Sequence, residues 1–185
     1  MDKIAEDLEL SKTTLYLYFK NKPSLYFAVV TKGVAILRDT FKEAVKNETT
    51  GLGKIKSIIL AFYDYIQIYP DYYRLNLSVR VPRFMRMLQH VDKDGPEIEN
   101  AEEYGQLKKE LLDIIVKAIK LGIKDGTLRK DLDPIQTVMF ISSAIEDMVY
   151  LSPVNQLLLE MSGVRAEDYL KHSIDLLLQG IAVKK

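Results

Sequence analysis

The residues between Ser11 and Lys22 carry side chains that suit contact with a nucleic acid duplex. Lysine pairs with phosphates, threonine reaches phosphates or base edges, and tyrosine hydroxyls donate to phosphates. From Leu10 to Arg38 the chain has four lysines, one arginine and no acid. A solvated basic helix is the alternative interpretation. We favour a duplex-binding surface, whose predicted contacts are Ser11, Lys12, Thr13, Thr14, Tyr16, Tyr18 and Lys22.

Two short helices joined by a tight turn are needed to hold these side chains in place. The pattern predicts one helix over residues 2–8 and a second over residues 12–19, which Ser11 caps. A helix-turn-helix also requires apolar packing residues at set intervals. We expect these packing residues to be Ile4, Ala5, Leu8, Leu10 (as the plug of the turn), Leu15 and Phe19.

Composition narrows the possible partners of the 185-residue chain. Its 26 basic and 26 acidic residues cancel, so affinity for DNA must come from a local patch. Cysteine is absent, and the two histidines, His90 and His172, are far apart, so we expect no disulfide, metal site or cofactor. No apolar run approaches the roughly 20 residues that span a bilayer. The charged, polar N-terminus is not typical of a signal peptide, which favours a cytoplasmic protein.

Helical periodicity dominates the remainder, and proline and glycine fall at wide spacing, so the chain is predicted to be all-α. Asn21 and Asp133 are the expected caps of two of the helices. The stretches 82–96 and 152–165 could each contain a short helix. The predicted longer helices cover residues 22–46, 52–69, 70–80, 97–124, 133–151 and 166–182.

Tyrosine and methionine are concentrated in the middle of the chain, and such side chains line adaptable apolar pockets. An ordinary core is the alternative for each of them. A hydrophobic or amphipathic effector is expected in the predicted ligand pocket, which comprises Phe62, Tyr65, Tyr69, Tyr73, Leu111, Ile115, Met139 and Ser143. An anionic effector could pair with Arg74, Arg80, Arg83 or Arg86. A solvated surface or ion pairs between subunits are the alternative, which we favour for these arginines.

The last two long helices each have a second apolar stripe, which a helix buried on one side does not need. We therefore predict a homodimer through a four-helix interface. The alternative is that both helices are buried within the monomer. The predicted interface comprises Phe140, Ala144, Asp147, Leu151, Tyr169, Ser173, Leu176 and Gly180.

The N-terminal residues resemble the signature of the TetR (tetracycline-repressor-like) family of transcriptional regulators. The matching motifs are Ile4-Ala5-Glu6, Ser11-Lys12, Thr14-Leu15-Tyr16, Tyr18-Phe19-Lys20-Asn21-Lys22 and Leu25. Weaker similarities are Tyr69-Pro70 with Arg74-Leu75, and Gly126-Thr127-Leu128-Arg129. The resemblance implies a DNA-binding domain over residues 1–30, a ligand-binding and dimerisation domain over residues 31–185, and a repressor that a small molecule releases from operator DNA.

Three departures from the family pattern bear on this expectation. Glu9 and Thr13 stand where glycine is common, and a positive φ at Glu9 costs on the order of 1 kcal/mol. The family also has a helix before the region where Met1 lies. Either an upstream piece is missing, which we favour, or the protein lacks that helix. As written, the motif is expected to expose the surfaces of Leu8, Leu15 and Phe19.

Two other functions remain open at this point. A ligand-sensing and dimerisation protein that has lost DNA binding would explain the departures. An enzyme would need a convergent set of acid, base or nucleophile. Glu146, Asp147 and His172 have no supporting spacing, so we expect no enzyme.

Overall fold

The computed structural model describes residues 1–78 and 100–184, and the described chain is helical throughout. It contains no strand, only an isolated antiparallel bridge between Leu128 and Ala182. The predicted all-α class is confirmed. The helices are α1 (Asp2–Asp7), α2 (Lys12–Tyr18), α3 (Lys22–Ala44), α4 (Gly51–Ile68), α5 (Pro70–Ser78), α6 (Ala101–Asp125), α7 (Pro134–Val149), α8 (Pro153–Met161) and α9 (Ala166–Ile181).

Side-chain caps begin five of these helices. The capping side chain accepts a hydrogen bond from the backbone N–H three residues further on at Ser11 (3.0 Å), Asn21 (2.8 Å), Thr50 (3.1 Å), Asp133 (2.8 Å) and Ser152 (3.2 Å). Each cap satisfies a donor that the helix itself leaves unpaired. The predicted caps at positions 11, 21 and 133 are confirmed, as is a short helix within 152–165. The stretch 82–96 and the predicted end of α5 at Arg80 lie outside the described residues.

The chain divides into two compact units. Unit 1 comprises residues 1–37 and 69–109, as far as they are described, and unit 2 comprises residues 38–68 and 110–184. The helices α3 and α6 therefore contribute residues to both units. The predicted domains, residues 1–30 and 31–185, stay a prediction.

The core of unit 1 is built on α3. Phe27, Val30 and Val34 are almost fully buried, at one-turn spacing along one face of the helix. The rings of Phe27 and Tyr104 meet edge to face, with centroids 5.7 Å apart. On α5, Tyr73 is also buried. This buried apolar face anchors the first part of α3, which follows α2 in the chain, in the core of unit 1.

The core of unit 2 is built on α4, which contacts α7 and α9, and these two helices also contact each other. Phe62 of α4 meets Phe41 edge to face, with centroids 6.2 Å apart. Burying each large apolar side chain contributes about 1.5–3 kcal/mol relative to leaving it exposed. The buried side chains of these three helices include Ile55, Ile58, Ile59, Val138, Ile141, Ile145, Ile174, Leu177 and Ile181.

The turn after α6 caps the N-terminus of α4. The Gly51 N–H donates to Oδ2 of Asp125 at 2.8 Å, and the Leu52 N–H donates to Oγ1 of Thr127 at 3.2 Å. Burial alone would raise the pKa of Asp125, but hydrogen bonds from the Thr127 side chain and from the Gly51 and Thr127 amides lower that pKa overall. The carboxylate is therefore held in the charged form that best accepts from a helix N-terminus.

The same turn also ties down the end of α9. The Arg129 N–H donates to the Ile181 carbonyl at 3.0 Å, and the Val183 N–H donates to the Thr127 carbonyl at 3.2 Å. Between these bonds, Leu128 is completely buried. Three helix ends of unit 2, those of α4, α6 and α9, are thus held by one short turn.

We predict that Gly51→Ala destabilises the chain by about 2–3 kcal/mol, because it forces apart two closely packed backbones. A Cβ at Gly51 would lie 2.0 Å from the backbone nitrogen of Gly122 and 2.6 Å from the carbonyl oxygen of Ala118. Urea unfolding measures the effect. The matched control is Gly105→Ala in α6, where a Cβ meets nothing within 4 Å; it should stabilise by about 0.5–1 kcal/mol. Equal stability of the two variants would contradict the close approach.

Candidate functional site

The two N-terminal helices are joined by a turn of the Schellman type. The Glu9 N–H donates to the Glu6 carbonyl at 3.0 Å, and the Leu10 N–H donates to the Ala5 carbonyl at 2.8 Å. Glu9 itself has φ of 55°, in the left-handed region. Glu9 therefore has the backbone conformation that costs a non-glycine residue on the order of 1 kcal/mol.

One side chain from each helix is buried where α1 and α2 meet. Ala5 and Leu15 are each only 4% exposed. The expectation that the chain as written exposes Leu15 is therefore wrong, because this residue lies on the face of α2 that packs inward. Phe19 is half-buried.

Two of the predicted packing residues do not pack. Leu8 is 57% exposed and Leu10 is 44% exposed. Leu8 is the C-cap of α1 and Leu10 follows the left-handed Glu9, so both belong to the turn rather than to the inward face of a helix. The predicted plug at Leu10 is wrong, whereas Ile4 is half-buried as a packing residue should be.

The opposite side of α2 is exposed, and we call Lys12, Thr13, Tyr16 and Leu17 the α2 outer face. All four are exposed, as is Tyr18 beside them. Residues four apart lie above one another on a helix, which pairs Lys12 with Tyr16 and Thr13 with Leu17. Sequence reasoning missed Leu17, which is 80% exposed.

Two predicted contact residues also hold the helix together. The hydroxyls of Ser11 and Thr14 lie 2.7 Å apart, and the Ser11 hydroxyl also accepts from the Thr14 N–H. Thr14 is half-buried, so it is less available than Thr13. Lys22, at the first position of α3, is exposed.

Lys12 forms an ion pair across the two helices. Its Nζ lies 2.7 Å from Oδ1 of Asp2 on α1, and both side chains are more than half exposed. The hydrogen bond and charge attraction raise the pKa of Lys12 and lower the pKa of Asp2. Lys12 is therefore a firmly charged group that an anion can reach, provided that the anion displaces Asp2.

The residues of the predicted ligand pocket are found in several environments. In unit 2, Phe62, Tyr65, Leu111 and Ile115 are buried, whereas Met139 and Ser143 are exposed. Tyr69 and Tyr73 belong to unit 1. The pocket stays a prediction. Among the arginines considered for an anionic effector, Arg74 forms an ion pair in which its NH1 lies 3.6 Å from Oδ1 of Asp71. The other three, Arg80, Arg83 and Arg86, lie outside the described residues, as does His90.

An open cavity of about 590 Å³ lies in unit 2, in the range of small-molecule sites, and we call it the α8 cavity. Sequence reasoning missed Tyr63 and Gln67, which point away from the buried face of α4. The cavity is lined by Tyr63, Gln67, Met148, Val149, Leu151, Gln156, Leu159, Glu160, Gly163, Val164, Arg165, Ala166, Glu167 and Leu170.

None of the eight residues of the predicted dimer interface is buried. On α7 and α9 the stripe that contains Ile141 and Ile174 is buried, while Phe140 and Leu176 are 60% and 56% exposed. The other interface residues are exposed (Asp147, Gly180) or half-buried (Ala144, Leu151, Tyr169, Ser173). Both helices thus retain an accessible stripe in this chain.

Within residues 1–78 and 100–184, no helix is both long and apolar enough to cross a membrane. No group of three or more histidine, cysteine, aspartate or glutamate residues in that part is arranged to hold a metal ion.

Comparison with known proteins identifies the fold. A regulatory protein of the tetR family from Rhodococcus RHA1 superposes on this chain with a TM-score of 0.70 and 14% sequence identity. The superposition covers all of this chain and 86% of the Rhodococcus protein. This chain has the TetR-family fold. The structure of AibR in complex with isovaleryl coenzyme A and operator DNA superposes with a TM-score of 0.67 and 14% sequence identity. That superposition covers 95% of this chain and 85% of AibR.

Sequence similarity to known proteins covers less of this chain than structural similarity does. The chain matches no sequence-family model. Over 75 residues it is 33% identical to the HTH-type transcriptional activator FasR of Mycolicibacterium smegmatis. That match covers 40% of this chain and only 34% of the relative.

We predict that Glu9→Gly stabilises the chain by about 1 kcal/mol, because glycine adopts the left-handed conformation without the Cβ penalty. Urea unfolding, or hydrogen exchange of the Leu15 amide, measures the gain. Glu9→Ala is the matched control, since it removes the carboxylate but keeps the Cβ. A gain of the same size in Glu9→Ala would show that charge, and not backbone conformation, is responsible.

Proposed function

We propose that the chain is a transcriptional regulator that binds operator DNA through α2, acts as a repressor in the cytoplasm, and responds to a small ligand in unit 2. The observation that carries the proposal is the two-sided character of α2. Leu15 is buried, while Lys12, Thr13 and Tyr16 are exposed on the other side of the same helix. A recognition helix needs this division, because one face must be held firmly and the other must enter the major groove.

Each exposed group has a distinct part in the proposed complex. Lys12, Tyr18 and Lys22 contact phosphates, the last with the help of the α3 N-terminus. Thr13 and Tyr16 reach base edges, and the Leu17 side chain packs on a thymine methyl. The excess of lysine and arginine between Leu10 and Arg38 supports this arrangement, because it gives a neutral chain a local positive patch for phosphates.

A homodimer through α7 and α9 would present two copies of α2 to a pseudo-palindromic operator. The accessible apolar stripe that contains Phe140 and Leu176 supports this interface, because solvent contact with such side chains is unfavourable. The small residues Ala144, Ser173 and Gly180 on the same stripe would let two helices approach closely.

Control by a ligand requires that a change in unit 2 reaches α2. The helix α3 supplies residues 22–37 to unit 1 and 38–44 to unit 2, and it begins four residues after α2 ends. A hydrophobic or amphipathic effector that favours one arrangement of unit 2 would shift the population of α2 positions. The AibR structure, which contains both an acyl coenzyme A and operator DNA, supports a fold that combines the two kinds of binding.

Selection of binding sites from a random duplex library tests the function. We expect enrichment of a two-fold symmetric sequence whose affinity falls steeply with salt. Lys12→Ala should weaken binding to all sequences and flatten the slope of log K against log salt by about one, whereas the control Lys56→Ala on α4 should not. Failure to enrich any sequence, with a folded chain, would favour the alternative of a sensor that has lost DNA binding.

We predict that Asp2→Asn tightens operator binding several-fold at low salt, because Lys12 no longer has to exchange a carboxylate for a phosphate. Titration of the labelled operator measures the change. Asp7→Asn on the same helix removes an equal charge without touching the Lys12 ion pair, so its effect should be smaller. In a Lys12→Ala background the two substitutions should act equally; a persistent difference would contradict the exchange.

A further inference from the structure

Two tyrosines and a phenylalanine form an aromatic cluster in unit 1, on α3 and α6. Phe27 is almost fully buried, and its ring meets the ring of Tyr104 edge to face, with centroids 5.7 Å apart. The ring of Tyr26, the preceding residue on α3, meets the Phe27 ring in the same manner at 6.1 Å. Because edge-to-face packing restrains both tyrosine rings, each hydroxyl is held at a defined place.

The hydroxyls of both tyrosines reach the last described turn of α5. The Tyr104 hydroxyl donates to Oδ1 of Asn76 at 3.0 Å. The Tyr26 hydroxyl donates to the Leu75 carbonyl and lies 2.7 Å from Oγ of Ser78. This Oγ in turn donates to the same carbonyl at 2.7 Å. The three oxygens thus form a closed triangle between α3 and α5, which we call the Tyr26 clamp (Tyr26, Leu75 and Ser78).

The surroundings of the Tyr26 clamp favour strong hydrogen bonds. All three of its residues are half-buried. Burial raises the pKa of the Tyr26 hydroxyl above its ordinary value, although the hydrogen bond with Ser78 partly opposes the rise, so the hydroxyl keeps the proton that it donates. The Leu75 carbonyl lies towards the C-terminal end of its helix, where the helix dipole makes it a better acceptor. The contact between α3 and α5 is therefore stronger than the same contact on an open surface would be.

A second contact joins the same two helices at Gly33. A Cβ built there would lie 2.8 Å from Cβ of Tyr72, so α3 and α5 approach closely at this point. Gly33 follows Tyr26 by about two turns and lies on the same face of α3. One contact fixes only a distance, whereas two contacts two turns apart also fix the angle between the helices. Of the two, the Tyr26 clamp is nearer to the start of α3, and hence to α2 along the chain.

We propose that Tyr26 is a positioning residue that sets which spacing of operator half-sites the protein accepts. The Tyr26 clamp holds the first turns of α3 at one angle to α5, and α2 is joined to the start of α3. In a dimer the separation of the two α2 helices depends on this angle in both copies, and the half-site spacing must match that separation. An open clamp lets each α2 sample several angles, so the best-spaced operator binds at a greater entropic cost and other spacings are penalised less. The inference rests on the proposed function.

Operators that differ only in half-site spacing test this role. Affinity for the selected operator is compared with affinity for versions that carry one or two added base pairs between the half-sites. Tyr26→Phe removes the hydroxyl and keeps the ring. It should weaken binding of the selected operator about three- to ten-fold, as expected for the loss of one hydrogen bond, and reduce the penalty for added base pairs by a similar factor. The salt dependence should not change, because no phosphate contact is removed.

Two further variants separate the Tyr26 clamp from a general loss of stability. Ser78→Ala removes the second hydroxyl of the clamp, so it should relax the spacing preference less than Tyr26→Phe does, and it should add nothing in a Tyr26→Phe background. Tyr63→Phe, on α4 in unit 2, also removes one tyrosine hydroxyl, and it should leave the spacing preference unchanged. Far-ultraviolet circular dichroism checks that each variant is folded.

The spacing preference of the unsubstituted chain separates the possible failures. A folded chain that binds no operator would overturn the proposed function. A chain that binds its operator with no preference for one spacing would overturn only the positioning role of Tyr26. The same holds if Tyr26→Phe weakens binding to every spacing equally, because the hydroxyl would then stabilise unit 1 without setting the angle of α2.

Discussion

The structure of unit 2 depends on a close approach of two backbones, at Gly51 in α4 and Gly122 in α6. Any side chain at Gly51 would overlap backbone atoms of the neighbouring helix. The approach also places the first amides of α4 where Asp125 and Thr127 accept their hydrogen bonds. The register of α4 follows from this contact, and with it the residues that α4 presents to α7, to α9 and to the α8 cavity.

The N-terminal motif is held by a different balance of forces. Only Ala5 of α1 and Leu15 of α2 are buried, so apolar burial contributes little there. The hydrogen bonds of the turn at Glu9 and of the cap at Ser11 contribute more to holding the two helices together. Few side chains are then committed to the core, which leaves the α2 outer face open to an external partner.

Local signals in the sequence were enough to predict the helices. Periodicity set their extents, and the caps at Ser11, Asn21 and Asp133 set three of their starts. The exposed groups of α2 also followed from helical spacing around Leu15. Leu17 was missed because apolar residues are expected to face inward, and the packing assigned to Leu8 and Leu10 failed because a Schellman turn directs the chain away from the helix face.

The α8 cavity could not be predicted in the same way. Periodicity tells which side chains of α4 face inward, but it does not tell where helices distant in sequence fail to fill the space between them. Tyr63 and Gln67 border such a space, whereas Phe62 and Tyr65 are packed into the core. Which residues enclose empty volume depends on the tertiary arrangement of four helices, and no single segment encodes it.

Directed cleavage of the operator tests whether the α2 outer face meets a DNA duplex. The chain contains no cysteine, so Thr13→Cys can be labelled at one position with an iron chelate that cuts nearby DNA. We expect two clusters of cuts, related by two-fold symmetry, within the selected operator. Lys56→Cys, labelled in the same way, should give none. Uniform cutting along the operator, or the same pattern from both positions, would contradict the claim.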